Sequence, residues 1–362
     1  MEAFTPKPLP LSEMDLNFNL YAENLIDAVS KLEVYNVKLN DSKLDTAWFL
    51  PTLRQKEALA STVLEGTQAT LDGVLINQME QNDADKNLNE VLNYFRASDE
   101  GYEHLKENKI SLEFLKNIHR TLMSGNIRGK NTEIGEFRKK QNYIGKMNMN
   151  NAISYVPPVP EKVGELMENL ISYINFPNDN LRPLVRIAII HAQLETIHPF
   201  MDGNGRLGRI LIPAYLYSKK QISEPCFFIS EALEKDKFKY YSYLNKIRTH
   251  NRWSEWIDFF LKAVIIQCNK YIDLVANINN LYNSDLETAK KLAQSNKIIE
   301  LVNLLYKFPI INSATIVKNT DLSLSTAQRY LNILVENKIL YTDNKQRNKF
   351  YFYYNLLEII RD

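Results

Sequence analysis

The chain is poor in glycine, cysteine and tryptophan: its 362 residues include 11 Gly, two Cys and three Trp. Cys226 and Cys268 lie in apolar contexts, with no His or Cys neighbour at metal-ligand spacing. They read as reduced core residues of a cytoplasmic protein, which excludes a disulfide scaffold. No apolar run approaches the roughly 18 residues of a membrane span. The stretch Met1 to Pro10 lacks the charged-then-apolar pattern of a signal peptide. An excess of charge is missing too. Net charge is +1, from 44 basic and 43 acidic residues, so no global field draws the chain to nucleic acid or membrane. What remains is an ordinary soluble composition, 45% apolar and 24% charged, long enough for two or three domains.

Where glycine is scarce, its clustering carries meaning. Three glycines fall between 203 and 208, and none follows. They lie in Ile197-His198-Pro199-Phe200-Met201-Asp202-Gly203-Asn204-Gly205-Arg206-Leu207-Gly208-Arg209. An apolar helical run leads in (Val185, Ile187, Ala188, Ile189, Ile190, Leu194), and another leads out (Ile210, Leu211, Ile212, Ala214, Leu216). A glycine-rich turn between two buried helices costs backbone entropy and needs a reason. Anion binding supplies one: glycines let backbone N–H groups approach an anion, and the following helix N-terminus aims its dipole there. Arg206 and Arg209 share one helix face at i, i+3, where two guanidinium forks can grip successive phosphates. Asp202 is a hard oxygen ligand of the kind Mg²⁺ takes beside phosphates. His198 is the one side chain here that takes a proton near neutral pH. The constellation reads as phosphoryl or nucleotidyl transfer.

His198 to Arg209 resembles the Fic motif, HPFx[D/E]GNGRxxR, without a mismatch. The resemblance implies an all-α Fic core that transfers AMP from ATP to a Ser, Thr or Tyr hydroxyl of a protein. By position, His198 is the implied catalytic base and Asp202 the Mg²⁺ ligand. Gly203, Asn204 and Gly205 form the anion hole, and Arg206, Leu207, Gly208 and Arg209 complete the nucleotide-binding segment. Doc phosphotransferases depart from this pattern in the anion hole, so Gly203 favours AMP transfer. Upstream, Ser61-Thr62-Val63-Leu64-Glu65-Gly66, in a helix expected over Arg54 to Gln68, resembles the inhibitory [S/T]xxxE[G/N] motif. Ser61 and Glu65 would then be inhibitory residues, with Glu65 salt-bridged to Arg209 where the ATP γ-phosphate binds. Such a glutamate also serves AMP removal in related proteins.

Two short β-prone pieces, within Gly135 to Gly145 and Ile153 to Pro158, predict a hairpin around a polar tip. It resembles the Fic flap, which implies target docking by strand addition at Ile144, Gly145, Ile153 and Ser154. Tyr240 and Tyr241 match positions the family uses around the adenine. His104, His119 and His191 have no partner at ligand spacing and read as surface or core histidines.

Along the chain, residues 1–100 read as an N-terminal helical region, with an opening segment closed at Leu50-Pro51. An inward face is expected at Leu20, Leu25, Ile26, Val29 and Leu32, and another at Leu59, Val63 and Leu64. Residues 101–265 read as the catalytic core, 266–295 as a helical connector and 296–362 as a separate α+β module. In that module helices at Ile298 to Tyr306, Thr315 to Asn319 and Ser325 to Lys338 precede a strand pair, an order that resembles a winged helix. It carries nine basic and six acidic residues, net +3. Ser325, Thr326, Gln328 and Arg329, with Lys345, Arg347 and Lys349 at the wing tip, make a thin basic stripe for DNA. A dimerisation or target-docking role competes with DNA binding there. The expected protein is therefore a cytoplasmic, Mg²⁺-dependent adenylyltransferase, inhibited by Glu65. Its expected partners are hydroxyl-bearing proteins (itself included) and a second copy of itself, not a membrane. A nucleotide-sensing DNA-binding regulator is the alternative.

Overall fold

A computed structural model describes residues 2–80, 85–128, 133–145, 155–343, 345 and 349–361. An extended segment and two short 3-10 turns lead into α1 (Ala22–Asn40), α2 (Thr46–Leu64), α3 (Leu71–Glu80), α4 (Lys86–Leu105) and α5 (Leu112–Leu122). The middle of the chain forms α6 (Pro160–Asn175), α7 (Pro183–Ile197), α8 (Asn204–Ser218), α9 (Ser230–Lys235), α10 (Lys237–His250) and the 41-residue α11 (Trp253–Ala293). The C-terminal unit comprises α12 (Ile298–Lys307), β1 (Ile310–Ile311), α13 (Ser313–Asn319), α14 (Leu324–Glu336), β2 (Tyr341–Thr342), β3 (Tyr351–Phe352) and α15 (Tyr354–Arg361). Its strands form one antiparallel sheet in the order β1-β3-β2, with Ile310 and Tyr341 both opposite Phe352. The mostly helical architecture agrees with expectation. Strand β1 and helix α15 were not foreseen, because two-residue strands and a short C-terminal helix leave little periodic signal.

Helix α7 is apolar on every face and buried from Leu184 to Ile197, as a central helix must be. Pro183 occupies its first turn, where a missing N–H costs nothing. Helix α8 is buried almost as completely and packs on α7, so the loop between them projects from the most rigid part of the molecule.

Two expectations about the N-terminal helices need correction. Leu50-Pro51 does not close a segment: α2 runs through Pro51, starting where the Asp45 side chain accepts the Ala47 N–H at 2.9 Å. The helix also stops at Leu64, before Gln68, because Gly66 turns into the left-handed region at φ +87°. The Thr67 N–H returns to the Thr62 carbonyl at 3.1 Å and the Gly66 N–H to the Val63 carbonyl at 2.8 Å, a Schellman closure. In α1, Leu25, Ala28, Leu32, Tyr35 and Leu39 form a stripe at alternating three- and four-residue spacing, buried against α11. Leu20, Ile26 and Val29 lie off that stripe and are exposed. Of the inward trio expected in α2, Leu64 is buried, while Leu59 and Val63 are half-buried.

The C-terminal unit docks directly on the N-terminal helices. Helix α12 packs on α2, and Thr52 Oγ1 donates to the Tyr306 carbonyl at 3.4 Å. Strand β1 packs on α3, and Arg361 pairs with both carboxylate oxygens of Asp72 at 2.7 Å. Cys226 and Cys268 are free and buried. Among the described residues, no helix is long and apolar enough to cross a membrane.

Candidate active site

Helix α7 ends at His198, whose backbone is left-handed at φ 50°, ψ 60°. A non-glycine residue held there costs roughly 1–3 kcal/mol and persists only where its surroundings over-determine it. They do so here. Arg138, itself buried, donates from Nε to the His198 carbonyl at 2.9 Å and from its backbone N–H to the Pro199 carbonyl at 2.9 Å. Asn142 Nδ2 donates to the Phe200 carbonyl at 3.1 Å. The Asn204 side chain takes the Phe200 N–H at 2.9 Å and returns a bond to its carbonyl at 2.8 Å. The loop from 198 to 203 is therefore fixed from both sides. Burial lowers the His198 imidazole to about 4, with the Arg248 guanidinium acting in the same direction, so the ring is a neutral base at physiological pH.

Beyond the loop, Gly203 takes φ 77° and starts α8 at Asn204, so the first amides of a buried helix lie at this turn. Arg206 is buried at the base of this turn. Its Nη2 lies 3.6 Å from Asp202 Oδ1 and its Nη1 3.9 Å from Glu90 Oε2. Neither Nε nor Nη1 has a hydrogen-bond partner among the described residues. A buried guanidinium left this short of acceptors is set for an anion that binds later. Leu207 and Gly208, by contrast, face the protein interior: Leu207 is buried, and a Cβ at Gly208 would meet Glu195 and His191 of α7.

Arg209 is already engaged. Its Nε donates to Ser61 Oγ at 2.7 Å, and its Nη2 donates to the Ser61 carbonyl at 2.9 Å and to Glu65 Oε1 at 2.7 Å. Burial raises the Glu65 carboxyl, but Arg209, with Arg206 and Lys237, more than offsets this, and the net shift is downward. The carboxylate lies directly over Gly205, where an added Cβ would collide with it and come within 2.9 Å of Arg209 Nη1. Ser61, Glu65, Gly205 and Arg209, from helices far apart in sequence, thus converge on one spot.

The flap and the aromatic pair are placed only in part. Ile144 and Tyr155 form an antiparallel bridge, exchanging bonds of 2.9 and 3.1 Å, with Gly145 exposed beside it. Ile153, Ser154 and, in the C-terminal unit, Arg347 lie outside the described residues. Tyr240 is buried, with its hydroxyl 2.9 Å from His191 Nε2, whereas Tyr241 is 42% exposed, its ring 4.9 Å from that of Tyr240. His191, read as a core histidine, is thereby tied to the wall of the site.

A family model described as the Fic/DOC family matches residues 109–216, and one described as the Fic/DOC family N-terminal region matches residues 22–103. The chain belongs to the Fic/DOC family. A probable protein adenylyltransferase of Aquifex aeolicus is 24% identical over 274 residues, 69% of this chain and 79% of that protein. The protein adenylyltransferase Fic of Drosophila grimshawi is 33% identical over 138 residues, which is 35% of this chain and only 26% of the Drosophila protein. In fold, the chain is similar to a Fic family protein from Desulfovibrio desulfuricans, with a TM-score of 0.59 at 19% identity, covering 96% of this chain and 98% of that one. It is also similar to a Fic domain containing signaling protein from Bacteroides thetaiotaomicron, with a TM-score of 0.54 at 18% identity, covering 69% and 98%.

Within this Fic site, His119 is a functional residue that sequence reasoning missed. Its ring stacks on Phe200 at 3.8 Å, its Nδ1 accepts the Gly135 N–H at 2.9 Å, and its Nε2 is 3.0 Å from the Asp202 carbonyl. Since Nδ1 accepts, Nε2 carries the proton and donates to Asp202, holding the loop at the Fic aspartate. Nothing local to His119 announces this, because its partner is 83 residues away. Asp202 itself fits a cation shared with phosphates. Its side chain is 45% exposed at the mouth of the anion turn, with Oδ1 accepting the Gly203 N–H at 2.6 Å. Among the described residues no cluster of three or more His, Cys, Asp or Glu exists that would hold a metal alone, so the remaining ligands would come from nucleotide and water.

Proposed function

We propose that this chain is a protein adenylyltransferase that moves AMP from ATP to a Ser, Thr or Tyr hydroxyl and is restrained by its own Glu65. The observation that carries this reading is the pair of buried arginines on the first turns of α8: Arg206 short of acceptors, Arg209 occupied by Glu65. An anion site of that strength beside a neutral, half-buried histidine fits transfer from a polyphosphate. The Drosophila and Aquifex relatives carry the adenylyltransferase name, which favours AMP as the group moved.

The mechanism follows from the residues. The amides of Gly203 to Gly205 and the Arg206 guanidinium bind the α- and β-phosphates and stabilise charge that develops on them. Mg²⁺, which Asp202 would hold, supplies further charge neutralisation when bound. The neutral His198 takes the proton of the target hydroxyl as its oxygen attacks the α-phosphorus, and the bond to the bridging oxygen breaks to release pyrophosphate. While Glu65 holds Arg209, the γ-phosphate has no arginine to meet, and ATP binds unproductively. The same carboxylate would orient a water for AMP removal.

For the C-terminal unit we favour a winged-helix reading, supported by the order α12–β1–α13–α14–β2–β3 and by exposure of Ser325, Gln328 and Arg329 on α14. DNA, a protein target and a second copy of the chain are the candidate partners of that face.

Incubation of wild type, Glu65→Gly and Glu65→Gly/His198→Ala with Mg²⁺ and α-labelled ATP tests the function. Label on protein is expected in the single variant, at least tenfold above wild type, and not in the double variant. If no variant labels itself or any protein of a cell lysate, the transferase reading fails.

A further inference from the structure

Arg209 holds the inhibitory turn from one side, and a second group of side chains holds it from the other. Arg128, just beyond α5, reaches across to the residues that follow Glu65. Its Nη1 donates to the Gly66 carbonyl at 2.8 Å and its Nη2 to Thr67 Oγ1 at 2.6 Å. The same guanidinium grips Glu90 of α4, Nε to Oε1 at 2.8 Å and Nη2 to Oε2 at 2.7 Å, and its backbone N–H adds a 3.1 Å bond to Oε1. Thr67 Oγ1 completes the ring by donating to Glu90 Oε2 at 2.6 Å. Glu90 is almost wholly buried, and burial alone would disfavour its charge. Its bonds to Arg128 and Thr67 reverse this, and the net shift of its carboxyl is downward.

The chemistry of this ring is directional. Gly66 and Thr67 are the residues of the Schellman closure, so whatever fixes their carbonyl and hydroxyl fixes the direction in which the preceding carboxylate points. A single pair between a half-exposed Glu65 and Arg209 would compete with water and with an incoming polyphosphate. Six charge-assisted bonds on the next two residues and on Glu90 remove the freedom that such competition needs. Glu90 also stands 3.9 Å from Arg206, so the ring and the phosphate-binding arginine share one carboxylate.

We propose that Arg128, Glu90 and Thr67 form a latch that positions Glu65 on Arg209, and that opening this latch activates transfer without any change to Glu65. The proposal rests on the adenylyltransferase reading above, and its test separates the two. The paired change Arg128→Gln/Glu90→Gln removes both charges together and leaves no buried carboxylate without its partner. Self-labelling with α-labelled ATP should rise at least fivefold over wild type. In a Glu65→Gly background the same pair should give no gain over Glu65→Gly alone, because the residue the latch acts through is gone; Thr67→Val, which leaves Glu90 beside Arg206, should likewise raise labelling only where Glu65 is present. A merely structural role would lower labelling in both backgrounds and would not produce a gain. The latch is overturned if Glu65→Gly labels strongly while the paired variant stays at wild-type level. A second readout needs no transfer activity. Amide hydrogen exchange at Glu65, Gly66 and Thr67 should be at least tenfold faster in the paired variant than in wild type, with the middle of α2 unchanged. Unchanged exchange at those three amides overturns the latch even if no variant transfers AMP.

Discussion

Arg209 and Glu65 are joined by a 2.7 Å ion pair whose two ends differ in exposure: the guanidinium is 1% accessible and the carboxylate 34%. The arginine is a fixed part of α8, while the glutamate sits at the last turn of α2. Of the two partners, only the glutamate can leave.

Ser61 shares the load of holding that arginine, since its Oγ accepts from Arg209 Nε at 2.7 Å. Ser61→Ala removes this acceptor but keeps the backbone carbonyl. A hydrogen bond to a charged group is worth roughly 1.5–3 kcal/mol, so self-labelling should rise about tenfold over wild type and stay below Glu65→Gly. Labelling at the wild-type level would mean the serine plays no part in restraint.

The pH profile of the unrestrained Glu65→Gly protein should carry no limb near 6.5, the ordinary histidine value. The base works with its lone pair free, and burial puts that imidazole at about 4. The rate should therefore stay flat from pH 8 down to about 6 and fall only as pH approaches 4. Initial rates of AMP incorporation in a buffer series check this, and a half-maximal rate near 6.5 would refute it.

Glu57 predicts a loss of stability as pH rises towards neutral. Burial raises its carboxyl to about 7, although the Tyr94 hydroxyl at 3.0 Å and Ser230 Oγ both donate to it. Its folded value lies above its unfolded value of 4.5. Its contribution is therefore complete below 4.5 and disappears as pH rises through about 7. The Tm of wild type should drop between pH 4.5 and about 7, and Glu57→Gln, which keeps the shape without the ionisation, should drop less. Equal slopes for the two proteins would contradict the assignment.

Gly205→Ala should separate loss of restraint from gain of function. Its Cβ would displace the Glu65 carboxylate, yet it would fill the mouth of the amide nest. The expected variant has the ion pair broken and still labels nothing, also in a Glu65→Gly background. Calorimetric titration with ATP should show binding weakened at least tenfold.

Legibility in the sequence followed the range of the interactions. The segment from His198 to Arg209 was readable because its chemistry is contiguous. Glu65 was readable because Ser61, Glu65 and Gly66 keep a helical spacing with a meaning of their own. Glu90 and Arg128 lie 38 residues apart, and His119 and Asp202 lie 83 apart. Each of these is an ordinary polar residue until the fold brings its partner. Ile26 and Val29 misled for a related reason: several stripes can be drawn on one helix, and only contact with α11 selects the stripe from Leu25 to Leu39. Pro51 misled because a buried helix tolerates a proline when packing outweighs one lost bond.

Helix α2 is walled in by α4, α9 and α12, with Phe49, Leu50, Leu53, Ala58 and Leu64 buried along it. Pulling it free would expose apolar surface worth on the order of 10 kcal/mol, comparable to the whole stability of a domain. Unfastening its final turn breaks a handful of polar contacts of roughly 1–3 kcal/mol each. Thermal motion therefore reaches the hem of this helix long before its body. The relief proposed for Glu65 is therefore a movement of a few residues, on a timescale set by a turn and not by unfolding.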